Sequence, residues 1–143
     1  MGPLVRRYLR TAIAFLILGL LLGVWMLVQR EVGGSYPAPR VVSAHTHVIL
    51  VGFVMMMILG VALWMFPRPE RDDPRYRPAV AEVAYWLVTV STAVRFVGEV
   101  TSPPAPGPLV GWVIVAAGLG QVAGLIAFFY NLLPRIRTTR KED

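Results

Sequence analysis

Ser43-Ala44-His45-Thr46-His47-Val48-Ile49-Leu50-Val51-Gly52-Phe53 opens an apolar run that continues without an acidic or basic residue to Phe66-Pro67. A helix needs about 20 predominantly apolar residues to cross a hydrocarbon core of roughly 30 Å, so residues 42–66 are long enough to span a membrane. The same stretch holds both histidines of the chain, two positions apart, where the run begins. An ionisable side chain in hydrocarbon costs roughly 3 kcal/mol or more unless something offsets it, which makes these histidines the first candidates for function.

Three further stretches have the same character: residues 11–28, 79–100 and 108–133. A hydrophobic fraction of 56%, a charged fraction of 15% and a mean hydropathy of +0.61 exclude an ordinary soluble domain or a disordered chain. The expectation is an all-α integral membrane four-helix bundle, one membrane domain over residues 1–143. The run over 11–28 exceeds the ~7–15 residues of a signal-peptide core, and no small-residue cleavage pattern follows it, so it reads as an uncleaved first span.

The net charge of +6 is distributed as a membrane topology signal and does not point to nucleic acid. Arg6, Arg7 and Arg10 precede the first span. Arg68, Arg71, Arg75 and Arg77 lie between the second and third, and Arg135, Arg137, Arg140 and Lys141 follow the fourth. The other two connections carry only Arg30 and Arg40. By the positive-inside rule both termini are cytoplasmic, and the expected location is the inner membrane of a bacterium, as a multi-pass protein. Glu70, Asp72 and Asp73 among the loop arginines suggest local ion pairs of little energetic weight. Pro67 and Pro69 should stop the second span.

Small residues recur where helices should meet. Gly19 and Gly23, and again Gly120 and Gly124, are four apart and so share a helix face. Such faces serve packing within the chain, a homo-oligomer seam, or docking onto a larger complex. Gln121 is a lone polar residue near mid-membrane.

With no cysteine, disulfides, thiolate metal sites and covalent heme attachment are excluded. No nucleophile–base pair, phosphate loop or HExxH motif is present, so catalysis by this chain alone is not expected. His45 and His47 are separated by roughly 200° around a helix, so they cannot both serve one planar group. Arg40, Arg95 and Glu99 fall at the same depth as the histidines, by topology. An imidazole for iron and guanidinium groups for propionates are what a heme requires, and His45 or His47 with Arg95 and Arg40 offers both. The alternative is that Arg95 pairs with Glu99, four residues on, and reaches toward the headgroups. Met55-Met56-Met57 and the histidines contain the donor types of a Cu(I) site, but helical rise separates them by about 12 Å, so the methionines read as packing. A metal site built from His47 and outer-loop groups is a weaker alternative.

Ala44-His45-Thr46-His47, Gly52-Phe53, Ile58-Leu59-Gly60 and Phe66-Pro67 resemble the second helix of subunit I of the heme-copper oxidases, a superfamily that includes the nitric oxide reductases. The pattern is similar also to short four-helix, subunit I-like membrane proteins. The resemblance implies a protoheme (heme b) with His45 as axial iron ligand and His47 nearby or external. It also implies respiratory oxidase or nitric oxide reductase subunits as partners, with a role in electron transfer, gas binding or assembly. The large enzymes carry further histidines on other helices that this chain lacks. Here the third span reads Ala84-Tyr85-Trp86, where the short relatives often have a histidine. The implied iron is therefore five-coordinate, or takes its sixth ligand from water, a gas or a second subunit. A cofactor-free accessory subunit, in which the histidines bond across helices, is the other reading.

Overall fold

The computed structural model describes residues 2–66, 77–103 and 107–136. Four helices make up the fold: α1 (Pro3–Glu31), α2 (Pro39–Met65), α3 (Pro78–Thr101) and α4 (Pro108–Ile136). All four are long and apolar enough to cross a membrane, and no strand occurs among the described residues. The all-α, four-span architecture expected from hydropathy is therefore present. Pro67 and Pro69, the acidic residues of the second connection, and Arg68, Arg71, Arg75, Arg137, Arg140 and Lys141 lie outside the described residues.

Each helix begins with a proline, which has no N–H to lose at that position and a φ already set for helix. Two ends are just as local in cause. Gly34 takes a left-handed φ of 63° after α1, and Ser102 is extended before Pro103 after α3. The unexpected feature is in α2. Residues Val48–Met55, directly after the second histidine, form a π-helical stretch between α-helical segments Pro39–His47 and Met56–Met65. Hydrogen bonds there run to the fifth residue and widen the backbone, so the faces before and after it do not follow one α-helical wheel.

The helices pack in chain order: α1 along α2, α2 along α3, α3 along α4, with α1 meeting α3 near one end only. At that end Tyr8 stands at the centre. Its ring meets those of Tyr85 and Phe128 edge-on at 5.1 and 5.7 Å, each pair worth about 1 kcal/mol beyond its burial. Its hydroxyl donates to the Ala81 carbonyl at 2.9 Å, while Thr11 and Tyr85 share a hydroxyl bond of 2.8 Å. Met56, Leu59, Val88 and Leu132 complete this core. Arg135, buried in α4, donates to the carbonyls of Leu63 and Phe66, which the end of α2 leaves unsatisfied. Asn131 accepts the Arg77 backbone N–H at 2.9 Å, just before α3 starts.

The glycine faces are used inside the chain. A Cβ on Gly19 would collide with Ile49, and one on Gly23 would stand 3.0 Å from His45 Cε1, so this face receives α2. Gly120 and Gly124 receive Ser91 and Val88 of α3 in the same way. These stripes are therefore intrachain seams, which removes them as surfaces for a second copy or a larger complex. The outward faces are apolar instead, with Leu21 65% and Trp112 71% exposed, and are stable only against lipid or another protein.

Gly52 gives a test of the α1–α2 seam against an aromatic ring. A Cβ there would come within 2.7 Å of the Phe15 ring carbon Cγ, whereas one on Gly111 meets nothing within 4 Å. Gly52→Ala is expected to cost about 1–3 kcal/mol through overpacking and to lower the thermal midpoint in detergent. Gly111→Ala should leave the midpoint unchanged or raise it.

Candidate functional site

The polar half of α2 divides into two faces. His45 turns toward α1, where its Nδ1 lies 3.1 Å from the Gly19 carbonyl oxygen. A carbonyl only accepts, so Nδ1 carries the proton and donates it, and in the neutral ring the lone pair is on Nε2. Beside the ring runs a cleft of about 340 Å³, lined by Gly23, Met26, Arg30, Tyr36 and Pro37 with His45. Gly23 lies directly against the imidazole, so any larger residue there would crowd it. Arg30 pairs with Glu31 at 2.6 Å, with both side chains more than half exposed, so this pair is screened and easily exchanged.

His47 is also a donor at Nδ1, but to its own helix, through the Ser43 carbonyl at 2.9 Å. Thr46 does the same with the Val42 carbonyl at 2.9 Å. Neither bond fastens α2 to a neighbour.

The other face of α2 meets α3. Ser43 Oγ donates to Glu99 Oε1 at 2.9 Å, and Arg95 Nε donates to the same oxygen at 3.1 Å. Arg95 Nη1 reaches Gln121 Oε1 of α4 at 3.3 Å, and Gln121 Nε2 donates to Thr92 Oγ1 at 3.0 Å. Glu99, Gln121 and Thr92 are all buried. Three helices are thus joined by one run of hydrogen bonds inside the span.

Arg95 and Glu99 pair as their four-residue spacing implies. The structure does not bring Arg95 or Arg40 to His45. Arg95 is held by Glu99 and Gln121, and Arg40 borders a separate cavity with Ser43 and Glu99. The guanidinium beside His45 is that of Arg30, which reading by depth passed over. Gly19, Gly23, Met26 and Arg30 do follow one helical stripe, so the signal was present once α1 is known to face the histidine. Ser43 had no sequence mark, because its partner lies 56 positions away. Among the described residues no group of three or more His, Asp or Glu is placed to hold a bare metal ion.

The family model described as cytochrome c and quinol oxidase polypeptide I matches residues 3–143, nearly the whole chain. The chain belongs to that family. Comparison with curated proteins gives no match, and comparison with solved structures gives none either. This oxidase subunit I-like protein is therefore a multi-pass membrane protein of a family whose members work in respiratory oxidase complexes.

Arg95 also supplies a test of the buried network. Arg95→Leu would strand Glu99, whose side chain is 6% exposed, at a cost of about 3–5 kcal/mol. Arg95→Leu combined with Glu99→Leu should recover most of that loss, read as the thermal midpoint of the purified protein.

Proposed function

We propose that this oxidase subunit I-like chain binds a heme b through His45 and works beside a respiratory oxidase or nitric oxide reductase, without catalysing a reaction of its own. It would lie in the inner membrane of a bacterium with both termini cytoplasmic, as the arginine distribution favours. The observation that carries the proposal is the state of His45: Nδ1 is committed to the Gly19 carbonyl, and Nε2 is left as a lone pair beside a cleft. Iron-binding imidazoles are commonly fixed in this manner, with the far N–H donated to a carbonyl so that ring orientation and tautomer are set in advance.

The donor set fits the group. Gly23 lets α1 pass close beside the imidazole, where a Cβ would crowd Cε1 at 3.0 Å, and Met26, Leu27 and Pro37 offer apolar walls. Arg30 supplies a cation for a carboxylate, and its weak pair with Glu31 is readily given up. Arg40 and Arg95, the cations suggested by depth, have other neighbours. When bound, heme would supply a redox-active iron able to pass one electron or hold a diatomic gas. The chain's own part is to hold the imidazole, keep its tautomer and exclude water from one side. The cleft is near the small end for an organic ligand, which favours a second subunit covering the remainder. The His45–Gly19 bond also supports a second reading, because by itself it fastens α2 to α1 in a cofactor-free accessory subunit.

Absorption spectra of the detergent-purified protein separate these readings. A Soret band is expected in the wild type, lost in His45→Ala and kept in His47→Ala. A shift of the reduced band with carbon monoxide would mark an accessible sixth position, as for a gas ligand. A band that survives in His45→Ala removes that residue as ligand, and a colourless protein after hemin reconstitution leaves the accessory subunit.

A further inference from the structure

On the α3 side of α2, two buried polar atoms have no partner, and both belong to side chains that border one cavity. Glu99 is 5% exposed, and its Oε1 accepts from Ser43 and Arg95, yet its Oε2 is buried and bonded to nothing. Arg40 Nη1 is likewise buried without an acceptor. Both side chains line a cavity of about 400 Å³ together with Pro39, Ser43, Gly111 and Ile114. No ion pair joins Arg40 to Glu99 among the described residues. An unmet donor and an unmet acceptor are expensive where water is scarce, so a single ligand that answers both gains twice.

We infer that this cavity binds a phospholipid whose headgroup carries both a phosphate and a primary ammonium, as in phosphatidylethanolamine. A phosphate oxygen accepts from the Arg40 guanidinium, and the ammonium donates to Glu99 Oε2. Depth supports the match. Arg40 is the second residue of α2, and Glu99 stands two residues before the end of α3, so both lie at span ends, where headgroups are found. Ile114 and Val115 stand about two turns into α4 and give the cavity an apolar wall at acyl depth. Related heads answer only half of the site. A quaternary ammonium has no N–H for Glu99, and a glycerol head brings an anion with no cation to offset it. A trapped water would satisfy either atom but would give no preference among lipids. Neither arm of the site involves His45, so the inference stands apart from heme binding.

The test is native mass spectrometry on the full chain, delipidated and titrated with phosphatidylethanolamine, phosphatidylcholine and phosphatidylglycerol of matched acyl chains. The ethanolamine lipid should be retained about tenfold more than either other, as expected for one charge-assisted bond. Arg40→Gln, whose guanidinium holds nothing else in the described structure, should weaken retention of all three lipids, which share the phosphate, while keeping helicity and thermal midpoint. Equal retention of the three lipids by the wild type, or unchanged retention of the ethanolamine lipid in Arg40→Gln, overturns the inference. Water-soluble phosphoethanolamine at millimolar concentration should not displace the lipid. If it does, the site recognises the free headgroup compound and the lipid assignment is wrong.

Discussion

Hydrocarbon offers no hydrogen bonds, so Ser43, His45, Thr46 and His47 in the first half of α2 must be answered by protein. That requirement arranges the whole molecule. Thr46 and His47 are satisfied by carbonyls of their own helix and demand nothing of their neighbours. His45 is not, and its need is met by Gly19, which fixes α1 on one side. Ser43 is met by Glu99, which fixes α3 on the other. Glu99 then requires Arg95, and Arg95 reaches Gln121, so α4 is drawn in behind α3. The chain-order packing of the helices follows from where polar groups could be satisfied.

The opposite end is held by different means. There the contacts are rings and aliphatic side chains around Tyr8, with Arg135 and Asn131 closing helix ends. Between helices in lipid there is little hydrophobic gain, so close packing and hydrogen bonds must do what burial does in water. Aromatic edges and small residues supply that packing at the Tyr8 end, while glycine seams let polar groups meet at the histidine end. The histidine end, by contrast, keeps buried polar atoms without a partner.

Much of this was legible in the sequence. Four apolar runs gave four helices, and the Arg95–Glu99 pair followed from a spacing of one helical turn. The angular separation of His45 and His47 implied different surroundings, and they have them. Three things were hidden. The π-helical stretch over Val48–Met55 packs against both α1 and α3, and its residues, all apolar or glycine, carry no mark of it. Ser43–Glu99 and Gln121–Thr92 are cross-helix bonds whose partners cannot be paired from one chain read linearly. The place of Arg30 beside the His45 cleft was missed because depth alone does not say which helix faces which; Arg40 and Arg95 matched in depth but not in direction.

That division by direction bears on what the chain can do. The lone pair of His45 and the Arg30 guanidinium stand on the α1 side, whereas the hydrogen bonds that join α2, α3 and α4 stand on the other. Filling or emptying the first cleft therefore breaks none of the bonds in the second. On the proposed reading one imidazole, one cation and one glycine make up the ligand side, and the hydrogen bonds that join α2, α3 and α4 take no part in it. On that reading the chain offers one coordinating nitrogen without disturbing the bonds that join α2, α3 and α4.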